Sequence, residues 1–163
     1  RDRVRLGAAG RNPAGAAKML EVTSTRTEQN MSHMVHLLII DENPAVSEAL
    51  HARLNSVPRF EVVATASSFE LGLQQIRELE PEVVLLELKG RSQYGLDPIG
   101  AISRAVSGRP VGVIVLTSYP DDIERAVALH SGAHRYLLKD IDSERLIAEI
   151  QAVADVVHKQ MYI

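Results

Sequence analysis

Pro81-Glu82-Val83-Val84-Leu85-Leu86-Glu87-Leu88-Lys89-Gly90 is the stretch whose reading decides the fold. Five of the six positions 83–88 are apolar, and a proline stands just upstream. Such a run reads as a strand covered on both faces, the kind found in parallel sheets with helices on either side. A carboxylate, Glu87, appears at its C-terminal end. In an open parallel sheet that edge is where ligands and chemistry collect.

The same pattern repeats outward from this strand. Upstream, residues 35–40 form an apolar run ending in Asp41-Glu42, then Asn43 can cap and Pro44 can begin a helix to Asn55. Val46, Leu50 and Leu54 share one face of that helix. Residues 60–66 read as a second strand, and Ser67 or Ser68 caps a helix with Leu71, Leu73, Ile76 and Leu79 apolar. Downstream, a polar loop over 89–95 leads to a helix from Pro98 to Val106, stopped by Ser107-Gly108-Arg109-Pro110. Residues 111–116 form a fourth strand with Thr117-Ser118 at its tip. Pro120-Asp121-Asp122 opens a helix to Ser131 that Gly132 closes. Residues 134–138 form a fifth strand with Lys139 at its tip, and Asp142 or Ser143 caps a last helix with Leu146, Ile147, Ile150 and Val153 apolar. Strands separated by helices must run parallel, with right-handed crossovers. The expected fold class is therefore α/β: a doubly wound, five-stranded parallel sheet in a three-layer α/β/α sandwich.

The bulk composition fits one such domain. The chain has 163 residues, 45% of them hydrophobic, enough for a core. Its net charge of -3 is unevenly spread. Residues 1–33 carry six basic residues against three acidic ones, and the remainder carries 12 against 18. A nucleic-acid surface on the main domain is therefore not expected. No apolar run approaches the roughly 18 residues of a membrane span. The absence of cysteine excludes a disulfide framework and a thiolate zinc site, and fits a cytoplasmic setting.

Residues 1–33 lack any sustained period and read as a loosely ordered leader, upstream-translation or cloning-derived segment, with a native start expected at Met34. Residues 34–157 are the expected domain, and 158–163 a C-terminal tail or linker stub. Glycines in the leader lack a following Gly-Lys-Ser/Thr, so no phosphate loop is expected. His130 and His134 straddle Gly132 and a helix end, which argues against a helical metal pair; the six histidines read as surface or capping residues. The four tyrosines, Tyr94, Tyr119, Tyr136 and Tyr162, form no stacking platform.

Four of the five strands end in polar groups: Asp41-Glu42, Glu87, Thr117 and Lys139. Taken singly, each is an ordinary solvated loop residue. Taken together in this topology, they converge on one edge. Three carboxylates suit a hard cation such as Mg²⁺, and a lysine with a hydroxyl suits phosphoryl oxygens.

Leu38-Ile39-Ile40-Asp41-Glu42-Asn43-Pro44, residues 81–88, Val115-Leu116-Thr117-Ser118-Tyr119 and Gly132-Ala133-His134-Arg135-Tyr136-Leu137-Leu138-Lys139-Asp140 together resemble the receiver domain of bacterial two-component response regulators. The resemblance spans residues 34–157, and the Tyr-Leu-Leu-Lys-Asp ending looks most like the NarL/FixJ-like subfamily, which joins its receiver to a helix-turn-helix output domain. It implies a flavodoxin-like (βα)5 fold and a role in phosphorelay signalling rather than enzyme catalysis. It also implies that Asp41 and Glu42 hold Mg²⁺ beside Glu87, with the backbone carbonyl of Lys89 completing the shell. Thr117 matches the switch hydroxyl, Lys139 the phosphoryl-pairing lysine and Tyr136 the switch aromatic.

Glu87 matches the phosphoaccepting aspartate, and there the chain departs from the pattern. Glutamate is one methylene longer, and a displacement near 1 Å can cost about a hundredfold in rate. Gly90-Arg91 replace the usual Met-Pro of the following loop, which loosens it and adds positive charge. The resulting expectation is a receiver with altered or absent phosphorylation that acts through protein–protein contacts. Its expected partners are a histidine kinase or other signalling protein, with a homodimer as a further association. The alternatives are a conventionally phosphorylated input domain of a DNA-binding transcription regulator and, from another class, a flavodoxin-like nucleotide or flavin binder. No Gly-rich loop follows the first strand, which counts against the last.

Overall fold

Apolar runs set the strands and short polar caps set the helix starts. The computed structural model describes residues 33–89 and 97–162. The expected leader, the segment holding Gly90, Arg91, Tyr94 and Gly95, and Ile163 lie outside the described residues. In chain order the elements are β1 (Val35–Ile40), α1 (Pro44–Asn55), β2 (Phe60–Ala66), α2 (Phe69–Leu79), β3 (Val83–Leu86), α3 (Pro98–Ala105), β4 (Gly112–Thr117), α4 (Asp122–His130), β5 (Arg135–Leu138) and α5 (Ser143–Met161). Residues 158–161, expected in a tail, continue the last helix. Strand β3 ends at Leu86, one residue before Glu87.

The five strands form one parallel sheet in the order β2-β1-β3-β4-β5, so the expected doubly wound class holds. The chain leaves β1 to build β2 on one side, then crosses to build β3 to β5 on the other. The carboxyl ends of β1 and β3 therefore flank the crevice where such sheets bind ligands.

The two-faced burial of β3 is direct. Val83, Val84, Leu85 and Leu86 are each at most 1% exposed. Val83 and Leu85 join the core layer that includes Leu50 and Leu54 of α1 and Leu146, Ile150 and Val153 of α5. Val84 and Leu86 join the opposite layer with Ile76 of α2, Ile99 and Ile102 of α3, and Ala128 of α4. Strand β1 alternates likewise, Leu37 and Ile39 one way and Leu38 and Ile40 the other. Each such side chain contributes about 1.5–3 kcal/mol on burial, so the sheet positions its tips rigidly.

Each described helix opens on a side-chain cap: Asn43, Ser68, Asp97, Asp121 and Asp142 accept from backbone N–H groups of Ala45, Leu71, Gly100, Glu124 and Arg145. After α4, Gly132 takes a φ of +114°, a conformation in which a glycine carries no Cβ penalty. Gly112 begins β4 where an added Cβ would collide with Val153 of α5.

His134 is neither a surface nor a capping residue. It is half-buried beside β4, where its N–H donates to the Val113 carbonyl at 2.8 Å and its Nδ1 accepts from the Val113 N–H at 3.2 Å. Burial lowers its pKa from 6.5, and the Arg135 charge lowers it further. Its depressed folded value means that the stability tied to neutral His134 is present above about pH 6.5 and is lost as pH falls toward the folded pKa. His134→Asn keeps an acceptor near the Nδ1 position and removes the titration. Urea unfolding at about pH 7.5 and about pH 5.5 should show a smaller acid loss in this variant than in the wild type. Equal losses would contradict the role given to His134.

Candidate functional site

Three strand tips supply the centre of the site, and backbone bonds fix them. Asp41 follows β1, and its N–H donates to the Ala66 carbonyl at 3.0 Å. Glu87 follows β3, and its N–H donates to the Ile40 carbonyl at 3.0 Å. Lys139 follows β5, and its N–H donates to the Thr117 carbonyl at 2.8 Å. From that tether Lys139 reaches across the sheet edge. Its Nζ lies 2.7 Å from Asp41 Oδ2 and 2.7 Å from Glu87 Oε1. The Asp41 side chain is only 3% exposed and that of Lys139 11%. Burial by itself lowers the Lys139 pKa, but the hydrogen bonds to Asp41 and Glu87 outweigh it and the net shift is upward. Lys139 is therefore held as a cation by its two carboxylates.

A second pair lies at the rim. Lys89 Nζ donates to Glu42 Oε2 at 2.8 Å, with both side chains about half exposed. The bond to Glu42 raises the Lys89 pKa, desolvation opposes the rise, and the charges of Glu42, Glu87 and Asp41 add to it. Lys89 has a φ of 46°, a left-handed conformation uncommon for a side chain of this size. An exposed pair of this kind contributes little to stability; its significance is where it places a charge.

Thr117 and Tyr136 face a different set of partners. Thr117 Oγ1 donates to the Tyr119 carbonyl at 3.2 Å and accepts from the Tyr119 N–H at 3.1 Å. Tyr136 donates its hydroxyl to Glu124 Oε1 at 2.8 Å and accepts from the Asp121 N–H at 3.3 Å. Burial and the Glu124 bond raise the Tyr136 pKa. The structure thus joins Asp41, Glu87 and Lys139 in one contact set and Glu42 with Lys89 in another. It ties Thr117 and Tyr136 to the start of α4.

A small cleft lined by Ile40, Asp41, Glu42, Phe69, Glu87 and Lys89 has a volume of about 10 Å³, room for about one water. Glu87 Oε2 is buried without a hydrogen-bond partner among the described residues. That oxygen and the acidic character of the set favour a hard cation. The rest of the geometry does not. Asp41 Oδ2 is taken by Lys139 and its Oδ1 by the Asn43 N–H at 2.8 Å. Glu42 Oε2 is taken by Lys89. Among the described residues no three carboxylate or imidazole groups gather as a metal would require. Mg²⁺ demands near-octahedral oxygen ligands and keeps several waters. As arranged, the residues expected to bind it do not fit it.

Sequence reasoning placed these residues at one edge but did not foresee two partners. Lys89 enters the site by its ammonium, although only its backbone carbonyl was expected there. Glu124 holds the Tyr136 hydroxyl, with no local pattern to announce it.

The family description "response regulator receiver domain" matches residues 37–151. The chain is 30% identical over 119 residues to the nitrate/nitrite response regulator protein NarL of Escherichia coli, covering 72% of this chain and 54% of that one. It is 32% identical over 121 residues to the transcriptional regulatory protein LiaR of Bacillus subtilis, covering 74% and 56%. The chain spans about half the length of these curated relatives. Among solved structures it is similar to the signal receiver domain of a NarL response regulator from Mycobacterium tuberculosis. That likeness has a TM-score of 0.64 at 22% identity, over 76% of this chain and 98% of that one. The response regulator domain of Thermotoga maritima CheB gives 0.65 at 19% identity, over 76% and 98%. The two structural likenesses show the fold.

The bridging lysine yields a stability prediction. Lys139→Met leaves Asp41 and Glu87 close together, largely buried and without their cation, and should destabilise the domain by about 3 kcal/mol in denaturant unfolding. A change under about 0.5 kcal/mol would mean that the bridge carries no weight.

Proposed function

This chain belongs to the response regulator receiver domain family, and from that premise we propose that it is an atypical receiver that signals through protein–protein contacts with altered or absent phosphorylation. A receiver of a two-component response regulator is a signalling module, and the finer reading concerns its acceptor position. The observation that carries it is the Glu87 Oε1 to Lys139 Nζ contact at 2.7 Å. Glu87 spans the extra methylene and already meets the lysine that would otherwise pair with a phosphoryl group. The charge at the acceptor position is matched before any phosphodonor arrives.

The roles proposed for the other residues follow. Asp41 anchors Lys139, Glu42 and Lys89 shape the mouth, and the Mg²⁺ that the family binds is weakened here. Thr117 and Tyr136 are the proposed switch pair, held at the start of α4 in the described state. Near them Tyr119 is 87% exposed and Ile123 77%, apolar surface of the kind that protein partners cover. The proposed partners are a histidine kinase or other signalling protein, and a second copy of the chain. No direct nucleic-acid contact or membrane span is proposed for this domain, and its proposed setting is the cytoplasm. Among the described residues no helix is long and apolar enough to cross a membrane. Residues 34–157 are the proposed receiver unit.

A second reading draws on the relatives. The chain spans about half of proteins named as transcriptional regulators, which favours a conventionally phosphorylated input half of a DNA-binding regulator. A flavin or nucleotide binder has the least support, since Asn43-Pro44 rather than a Gly-rich loop follows β1.

Intact mass after incubation with acetyl phosphate and Mg²⁺ tests the first reading. The wild type should gain no stable adduct of about 80 Da, the phosphoryl mass. Glu87→Asp, which shortens the arm, should gain one. A stable adduct on wild-type Glu87 would give the second reading precedence.

A further inference from the structure

Asp121-Asp122-Ile123-Glu124 at the start of α4 has the spacing of a capping box. In such a box the first side chain takes the N–H of the fourth residue, and the fourth side chain takes the N–H of the first. Here the first half is made directly: the Asp121 carboxylate accepts from the Glu124 N–H at 2.7 Å. The second half passes through another residue, Tyr136 of β5. Its hydroxyl accepts from the Asp121 N–H at 3.3 Å and donates to Glu124 Oε1 at 2.8 Å. The Tyr136 ring is partly buried against the core layer that holds Ala128 of α4, which brings the hydroxyl to the helix start.

We propose that Tyr136 is the third member of the α4 cap, a hydroxyl interposed in the Asp121–Glu124 box, and that Glu124 is the positioning residue that holds it there. When the hydroxyl leaves, the Glu124 carboxylate closes on the Asp121 N–H directly, so α4 keeps its cap with or without the tyrosine. This deepens the reading of Tyr136 as one of the switch pair: it names what holds the side chain and what replaces it. It rests on that reading for its signalling consequence alone; the cap itself rests on the hydrogen bonds.

A phenolic hydroxyl has one proton to give. Tyr136 gives it to a carboxylate, and such a charge-assisted bond is stronger than one between neutral groups. Thr117 meanwhile bonds in both directions to Tyr119. Loss of the hydroxyl would ordinarily leave the Asp121 N–H as an orphan donor at a helix start. Glu124 removes that penalty, because it stands at the position from which a capping box closes directly. The two arrangements therefore differ by one hydrogen bond rather than by a frayed helix. Ile123 on the same first turn and Tyr119, two residues before the cap, are exposed. The residue that holds Tyr136 thus also fixes the backbone beneath the apolar surface proposed for partners.

Nuclear magnetic resonance on isotope-labelled protein tests this. The readouts are the Tyr136 side-chain rotamer and the exchange rate of the Asp121 amide, with the amides of β3 as a folding control. Wild type should hold a single Tyr136 rotamer. Glu124→Ala should release the side chain into averaging, and Glu124→Gln, which keeps an acceptor at the same reach, should restore a single rotamer. Tyr136→Phe should leave Asp121 exchange within about twofold of wild type, since Glu124 then closes the box. Adding Glu124→Ala to Tyr136→Phe should speed that exchange about fivefold, the loss of one hydrogen bond. A Tyr136 rotamer as fixed in Glu124→Ala as in wild type would overturn the role of Glu124. Exchange already about fivefold faster in Tyr136→Phe alone, or unchanged in the double variant, would overturn the direct closure. A phosphoryl adduct on wild-type Glu87 would instead defeat the functional reading and leave this one standing.

Discussion

A lysine ammonium held between two carboxylates at the end of a buried sheet is the interaction on which this site depends. Lys139 is 2.7 Å from an oxygen of Asp41 and from an oxygen of Glu87, and all three side chains are largely withdrawn from solvent. Taking such charges out of water costs several kcal/mol each, and only close, well-directed partners offset that cost. Well-packed apolar replacements of buried ion pairs are often neutral or stabilising, so the trio is not explained by stability. It is explained by position: it fixes which strand tips face one another and leaves the Glu87 carboxylate committed to the lysine.

That commitment depends on topology. Asp41 and Glu87 come from β1 and β3, adjacent strands at which the sheet changes direction, while Lys139 reaches them from β5 at the edge, with β4 between. The apolar run of β3, buried on both faces, keeps those tips in register. The extra methylene of Glu87 is then absorbed by the lysine contact and leaves one oxygen, Oε2, without a hydrogen-bond partner among the described residues. Thr117 and Tyr136 meanwhile bond at the start of α4, to Tyr119, Asp121 and Glu124. The acidic cluster and the Thr117–Tyr136 pair thus occupy separate hydrogen-bond sets.

Much of this was legible in the sequence because it rests on local pattern. The run at 83–88 announced a two-faced strand, and the alternation of strand and helix forced a parallel sheet. The caps Asn43, Ser68 and Asp142 stood at or next to the expected helix starts. Topology alone brought Asp41, Glu87 and Lys139 together, whereas Glu42 pairs with Lys89 and Thr117, expected at the same edge, bonds to Tyr119 instead. What could not be read were contacts made by long side chains between distant segments. Lys89 has four flexible bonds, and nothing nearby in sequence says that it turns toward Glu42, 47 positions earlier. The Tyr136–Glu124 bond joins a strand to a helix start and leaves no periodic trace. His134 looked like a surface residue because its bond to the Val113 N–H is a matter of strand register. The last helix outran its expected end because residues 158–161 carry no breaker.

The coupling between Lys139 and Glu87 tests the central claim most directly. Unfolding free energies of the wild type, Lys139→Met, Glu87→Gln and the double variant close a double-mutant cycle. The account predicts a favourable coupling of about 1–3 kcal/mol, the range for residues in direct contact within one network. Additivity within about 0.3 kcal/mol would show that the two side chains act independently, and would contradict it.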